Sequence, residues 1–136
     1  MMEPDLRKLE TEFSRLLGFK LLRLAEGEAE FRCDLGPEHL NVAGSVHGGV
    51  LLSLLDLAAG GSGRWSPARG LVSCVTVNLG VEFCGQARAG YVIAKARVMS
   101  RSRRMFFSRS EVLAPDGTIL ALGSSSHKIM EAPSHA

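Results

Sequence analysis

Asp56 is the only charged residue in the stretch from 49 to 63, which otherwise consists of aliphatic residues, glycines and two serines. Laid out on a helix at about 100° per residue, Val50, Leu51, Leu54, Leu55, Leu57 and Ala58 share one direction. Asp56 points the opposite way, with Gly49, Ser53, Gly60 and Gly63 around it and Leu52 and Ala59 on its flanks. A carboxylate in a partly apolar cleft is a stronger base or nucleophile than one in bulk water. Glycines inside a helix cost about 1 kcal/mol each relative to alanine, so a face built from them implies that another chain or a ligand comes close. A second element lies upstream, in Ser45-Val46-His47-Gly48-Gly49. Ser45 or His47 is suited to cap a helix start, and the first-turn N–H groups of a helix have no internal partner. With no side chains at Gly48 and Gly49, a carbonyl oxygen can reach those donors, where the helix dipole favours negative charge. That is oxyanion-hole chemistry. Asn41, six residues before His47, adds a neutral polar group able to hold a water molecule.

These residues need a scaffold, and hydrophobic periodicity predicts one. Leu6, Leu9, Phe13, Leu16 and Leu17 recur at helical spacing, which predicts an N-terminal amphipathic helix within residues 1–17, ended near Gly18. Residues 19–25 and 28–34 read as a hairpin around Gly27, because Ala29, Phe31 and Cys33 alternate with Glu28, Glu30, Arg32 and Asp34. A loop over 35–45 leads to the helix at 47–63. After the breaker-rich segment 62–70 come strand-like runs at 71–83, 90–100, 104–113 and 118–129, the last two joined by Ala114-Pro115-Asp116-Gly117. Residues 131–136 read as a flexible tail. One central helix among five or six antiparallel strands makes the fold class α+β, the sheet burying its apolar face on that helix. Strands of this length need more cover than one helix gives, and pairing through a sheet edge into a homodimer supplies it.

Composition narrows the function classes. The 136 residues are 46% apolar and 22% charged, the profile of one compact domain rather than a disordered polyelectrolyte. No apolar run reaches the ~20 residues of a spanning helix, so no membrane association is expected. The N-terminus mixes acidic, basic and apolar residues and does not read as a signal peptide, which points to the cytoplasm. Three cysteines, Cys33, Cys74 and Cys84, lack metal-binding or disulfide spacing, so no metal is expected. Residues 1–68 carry a net −3 and residues 69–136 a net +5, a skew that suits an anionic ligand. Nucleic acid fits poorly, with aromatic content at 6% and no recognition motif.

Asn41, His47-Gly48-Gly49 and Asp56, in the arrangement N-x5-H-G-G-x6-D, resemble the hotdog-fold acyl-CoA thioesterases of the PaaI-like branch of the 4-hydroxybenzoyl-CoA thioesterase superfamily. The resemblance continues through Thr76-Val77-Asn78-Leu79, Ala87-Arg88-Ala89-Gly90 and Asp116-Gly117-Thr118. It implies a single hotdog domain over 1–136, with a sheet wrapped around the helix. It also implies edge-paired dimers that pair again into tetramers, an active site between subunits, and no cofactor, since coenzyme A enters with the substrate. Carried over by position, Asp56 would be the catalytic carboxylate, Gly48 the oxyanion donor, Asn41 the group positioning water or nucleophile, and His47 the residue steadying the thioester or the helix start. Gly49, Ser53 and Gly60 would line the substrate. Some family members carry a hydroxyl where this chain has Gly60, so the hydroxyl would come from a facing strand, Thr76 first and Ser73 second. Gln86 and Tyr91 depart from the family at a turn, where proline and an acidic residue are common.

Arg101, Arg103 and Arg104, with Arg109 nearby, fall at a strand connection, and the resemblance implies that basic residues there contact the nucleotide phosphates of coenzyme A. Two other readings stand beside thioester hydrolysis. Asp34-Leu35-Gly36-Pro37-Glu38-His39 is similar to the D-x-N-P-x-H dyad of hotdog enoyl-CoA hydratases, with Gly36 in place of the asparagine. A non-catalytic hotdog dimer that binds acyl-CoA is the other.

Overall fold

The computed structural model describes residues 3–130 of the chain. A 3-10 turn at Leu6–Leu9 and a short helix α1, Glu12–Leu16, precede the hairpin of β1, Phe19–Ala25, and β2, Glu28–Asp34. The long helix α2, Gly48–Ser62, follows, then a two-residue pair of strands, β3, Trp65–Ser66, and β4, Gly70–Leu71. Four long strands complete the chain: β5, Ser73–Phe83; β6, Tyr91–Arg101; β7, Met105–Leu113; and β8, Ile119–Met130. The six long strands form one antiparallel sheet in the order β1-β2-β6-β7-β8-β5, and α2 packs along its inner face. This is the hotdog arrangement that the motif implies.

The N-terminal helix is not one element. Thr11 accepts a hydrogen bond from the Ser14 N–H while Ser14 Oγ accepts one from the Thr11 N–H, a reciprocal cap that starts a new helix and splits the expected one. The tail at 131–136 lies outside the described residues. Strand β3 falls in the segment expected to be a breaker, and β4 straddles its end at Gly70.

Val50, Leu51, Leu54, Leu55, Ala58 and Ala59 of α2 are buried against Ala29, Phe31, Cys33, Val92, Ala94, Val112, Leu120 and Ala121 of the sheet. Ala59, expected on the flank of the Asp56 face, belongs to this core. Gly63 is corrected as well: a β-carbon there would stand 2.4 Å from the ring of buried Phe106, so this glycine admits a core aromatic ring and does not open the surface near Asp56.

Of the two sheet edges, β1 is defended. It carries Lys20 and Arg23, the latter ion-paired to Glu28, and its register slips between Leu21 and Arg23. The other edge, β5, has no lysine, arginine or proline in eleven residues, and Val75, Val77 and Phe83 on it are exposed.

Candidate active site

His47 caps α2 from an extended backbone, φ −66° and ψ 137°, and its Nδ1 accepts the Gly49 N–H at 2.8 Å. That bond consumes one of the two glycine donors. The Gly48 N–H has no hydrogen-bond partner among the described residues and stays available at the positive end of the helix. The ring of Phe83 lies 3.5 Å from where a Gly48 β-carbon would stand.

Asn41 organises the loop entering this helix. Its Oδ1 accepts the N–H groups of Ala43 and Ser45 at 3.0 and 3.1 Å, an Asx turn that leaves its amide nitrogen exposed. The same loop accounts for His39. Its Nδ1 accepts the Gly36 N–H at 2.9 Å, its Nε2 lies 2.6 Å from the Leu17 carbonyl, and its own carbonyl accepts the His47 N–H. His39 is buried with both ring nitrogens engaged. Asp34 is exposed and bound to Arg32 at 2.8 Å, and the guanidinium holds its carboxyl below the usual range. The Asp34–His39 pair is thus a salt-bridged surface acid and a structural histidine, with no free base for a hydratase.

Asp56, half-buried two turns further along α2, meets the sheet through Thr76 of β5, whose hydroxyl donates to Asp56 Oδ1 at 2.7 Å. Thr76 Oγ1 also lies 3.2 Å from His127 Nδ1, and His127 Nε2 lies 2.8 Å from Ser125 Oγ. His127 is fully buried on β8, and burial pushes its pKa down against the pull of the Asp56 charge. Gly60 lies beside this group, and a β-carbon there would make ordinary contacts, 3.8 Å from Cys74 Sγ and 3.9 Å from the His127 ring. Ser53 spends its hydroxyl on the Gly49 carbonyl at 2.8 Å. Ser73 alternates with Cys74, whose thiol turns to the Gly60 carbonyl, so Ser73 faces away from the carboxylate.

The arginines separate. Arg101 reaches the Gly63 carbonyl at 3.2 Å and lies over the Phe106 ring, closing the C-terminal end of α2. Arg109 sits on β7 opposite Arg97, away from the connection. Arg103 and Arg104 line a cleft of about 490 Å³ together with Arg69 and Lys128, four cations with no acid lining it among the described residues. Of this constellation, His127, Ser125, Arg69 and Lys128 escaped the sequence reading. The period-2 pattern of β8 held the signal for His127, since it places that residue on the inward face with Ala121, Gly123 and Ser125.

A family model described as the thioesterase superfamily matches residues 43–121. The chain belongs to the thioesterase superfamily. The matched span includes the helix start, Asp56 and Thr76, whereas His127 lies beyond it. A Pseudomonas aeruginosa protein named "Putative esterase PA0474" is 35% identical over 78 residues, which is 55% of this chain and 56% of that protein, so the chain spans little more than half of this curated relative. Among solved structures, a conserved protein of Pseudomonas aeruginosa superposes with TM-score 0.84 at 27% identity, covering 93% of this chain and all of that one. A mutant of the phenylacetic acid degradation protein PaaI from Thermus thermophilus gives TM-score 0.78 at 31% identity, over 88% of this chain and 100% of the other.

Proposed function

We propose that the chain is a cytoplasmic acyl-CoA thioesterase that hydrolyses an aryl- or medium-chain acyl-CoA to the free acid and coenzyme A. The observation that carries this reading is the half-buried Asp56 carboxylate, one oxygen bound by Thr76 and the other without a hydrogen-bond partner among the described residues, on the family's helix. As base, the free oxygen takes a proton from a water whose oxygen attacks the thioester carbon. The carbonyl electron pair moves to oxygen opposite the Gly48 N–H and then returns as the C–S bond breaks, and the departing thiolate takes up the proton. As nucleophile, the same oxygen attacks the carbon directly and the C–S bond breaks to give a mixed anhydride and the thiolate; water then cleaves the anhydride to the free acid, its proton passing to the thiolate. Asn41 and His47 shape the helix start in either route.

A second copy of the chain is needed. Gly48 and Asp56 are eight residues apart on one helix, about 12 Å at 1.5 Å per residue, too far to serve one carbonyl group. Antiparallel pairing of two β5 edges about their midpoint puts the Thr76 end of one copy beside the Phe83 end of the other, and hence Asp56 of one near Gly48 of its partner. A further pairing into a tetramer has the outer sheet face available, where Glu28, Arg97 and Arg109 share one cross-strand row and Glu30, Lys95 and Glu111 the next. The cleft of Arg69, Arg103, Arg104 and Lys128 suits the nucleotide phosphates. The relative named for phenylacetic acid degradation favours an aryl group among the acyl candidates.

Thiol release from phenylacetyl, hydroxybenzoyl and C4 to C12 acyl-CoAs tests the proposal. Wild type should turn over at least one, and Asp56→Ala should lose about two to four orders of magnitude in kcat with its fold retained. Tight binding without turnover by wild type, or normal turnover by Asp56→Ala, would reject it.

A further inference from the structure

Thr76, His127 and Phe106 form a single cross-strand row, on β5, β8 and β7 in that order. The row ends on the carboxylate of α2. Its polar members have few ways to share their protons, and the possibilities can be counted. An ionised carboxylate only accepts, so the contact at 2.7 Å uses the one proton of the Thr76 hydroxyl. Thr76 Oγ1 can then only accept from His127, and Nδ1 must carry a proton. Burial favours the neutral imidazole, which has one N–H in all; with that proton on Nδ1, Nε2 is bare and accepts from the Ser125 hydroxyl. The donations therefore run one way, from Ser125 to His127 to Thr76 to Asp56.

We propose that His127 is a positioning residue for Asp56, acting through Thr76: its Nδ1–H locks the threonine hydroxyl with its proton on Asp56 Oδ1 and leaves Oδ2 as the reacting oxygen. The proposal rests on the thioesterase reading for its catalytic meaning, and on geometry alone for the hydrogen-bond chain. The ring is itself held in place. Phe106 stacks on it with centroids 4.8 Å apart and planes 16° from parallel, and Gly63 leaves room for the Phe106 ring on the helix side. Thr76 is exposed, and without the histidine its hydroxyl has other staggered positions and water to turn to. A carboxylate bound through a fixed hydroxyl keeps one orientation through the reaction, which serves the chemical step more than substrate binding.

Two measurements test this, one independent of activity. In the ¹⁵N-labelled wild-type protein at pH 7, long-range proton–nitrogen correlation should show His127 neutral with the proton on Nδ1. A proton on Nε2, or an imidazolium, overturns the chain whether or not the protein hydrolyses a thioester. In kinetics, His127→Leu should lower kcat about tenfold, the worth of one hydrogen bond, with KM unchanged. His127→Asn, whose amide N–H can take the place of Nδ1–H, should retain most of the rate. In a Thr76→Val background, His127→Leu should add nothing. Equal losses in the two His127 variants, or additivity with Thr76→Val, would overturn the positioning role. If wild type turns over no acyl-CoA, the hydrolase reading fails, and the tautomer measurement still decides the chain of hydrogen bonds.

Discussion

Gly48 is the first residue of α2, directly after the capping His47, where the helix does not use its own N–H for internal bonding. Proline is well tolerated at that position, and the residue before it must be extended, as His47 is at φ −66° and ψ 137°. Gly48→Pro therefore deletes the proposed oxyanion donor while preserving the helix start. A β-carbon there meets the Phe83 ring at 3.5 Å, an ordinary contact. Thiol-release kinetics on Gly48→Pro should show kcat reduced about 10²–10³-fold, as for loss of one oxyanion donor, with the urea midpoint nearly unmoved. Unchanged kcat in the folded variant would remove Gly48 from the mechanism. The neighbouring glycine is different in kind. Gly49 spends its N–H on His47 Nδ1, so its contribution is to the cap, and its own β-carbon would crowd that nitrogen at 3.1 Å. Two adjacent glycines of equal appearance in the sequence thus divide between a free donor and a structural bond.

Along α2 the same division recurs and yields a stability prediction. A β-carbon at Gly63 would stand 2.4–2.5 Å from three ring atoms of Phe106, a fully buried side chain that stacks on His127. Gly63→Ala should cost about 1–3 kcal/mol by overpacking. At Gly60 the nearest atoms are 3.8–3.9 Å away, so Gly60→Ala should gain up to about 1 kcal/mol of helix propensity. Urea denaturation of the two variants should shift in opposite directions, and a shift in the same direction would show that the packing at one of them is misread. The contrast also marks what the sequence could convey about elements. Residues 19–25 and 28–34 match β1 and β2 to the residue, because β2 writes its half-buried alternation directly and Gly27 marks the turn that pairs β1 with it. The bounds of α2 followed from His47 and the glycines at its ends. Helical periodicity from Leu6 to Leu17 ignored the Thr11–Ser14 cap that divides the segment, and strands of two residues, as in β3 and β4, are too short to show a period. Asp56 is conspicuous by its isolation on an apolar helix, whereas Thr76 is marked only by the family resemblance. His127 was missed because one histidine on a strand has no spacing motif to announce it, and its meaning arises from register with Thr76 across β5 and β8.

At the scale of the molecule, the sheet has one guarded edge and one open edge, and the open one carries the residue that binds Asp56. An open edge of eleven residues without lysine, arginine or proline is a hazard in a monomer and an interface in a dimer. If two copies join there, each site takes Asp56 and Thr76 from one subunit and Gly48 from the other, and the arrangement is testable by mixing defects. Asp56→Ala and Gly48→Pro homodimers should each be nearly inactive. When equal amounts are unfolded together and refolded, half the dimers should be mixed, and in a mixed dimer one site draws its intact Gly48 from the Asp56→Ala subunit and its intact Asp56 from the other. The second site of that dimer carries both defects. Refolded mixtures should therefore recover about a quarter of the wild-type rate, as expected for random pairing in a two-fold dimer with shared sites. If each site were instead complete within one protomer, every protomer in the mixture would still carry a defect and no activity would return. Sedimentation of a further variant separates the outcomes: Val75→Lys with Val77→Lys, both exposed on β5, should dissociate the dimer and abolish hydrolysis while the sheet and helix signals in circular dichroism persist. A monomer of that variant with wild-type turnover would place the whole site within one chain.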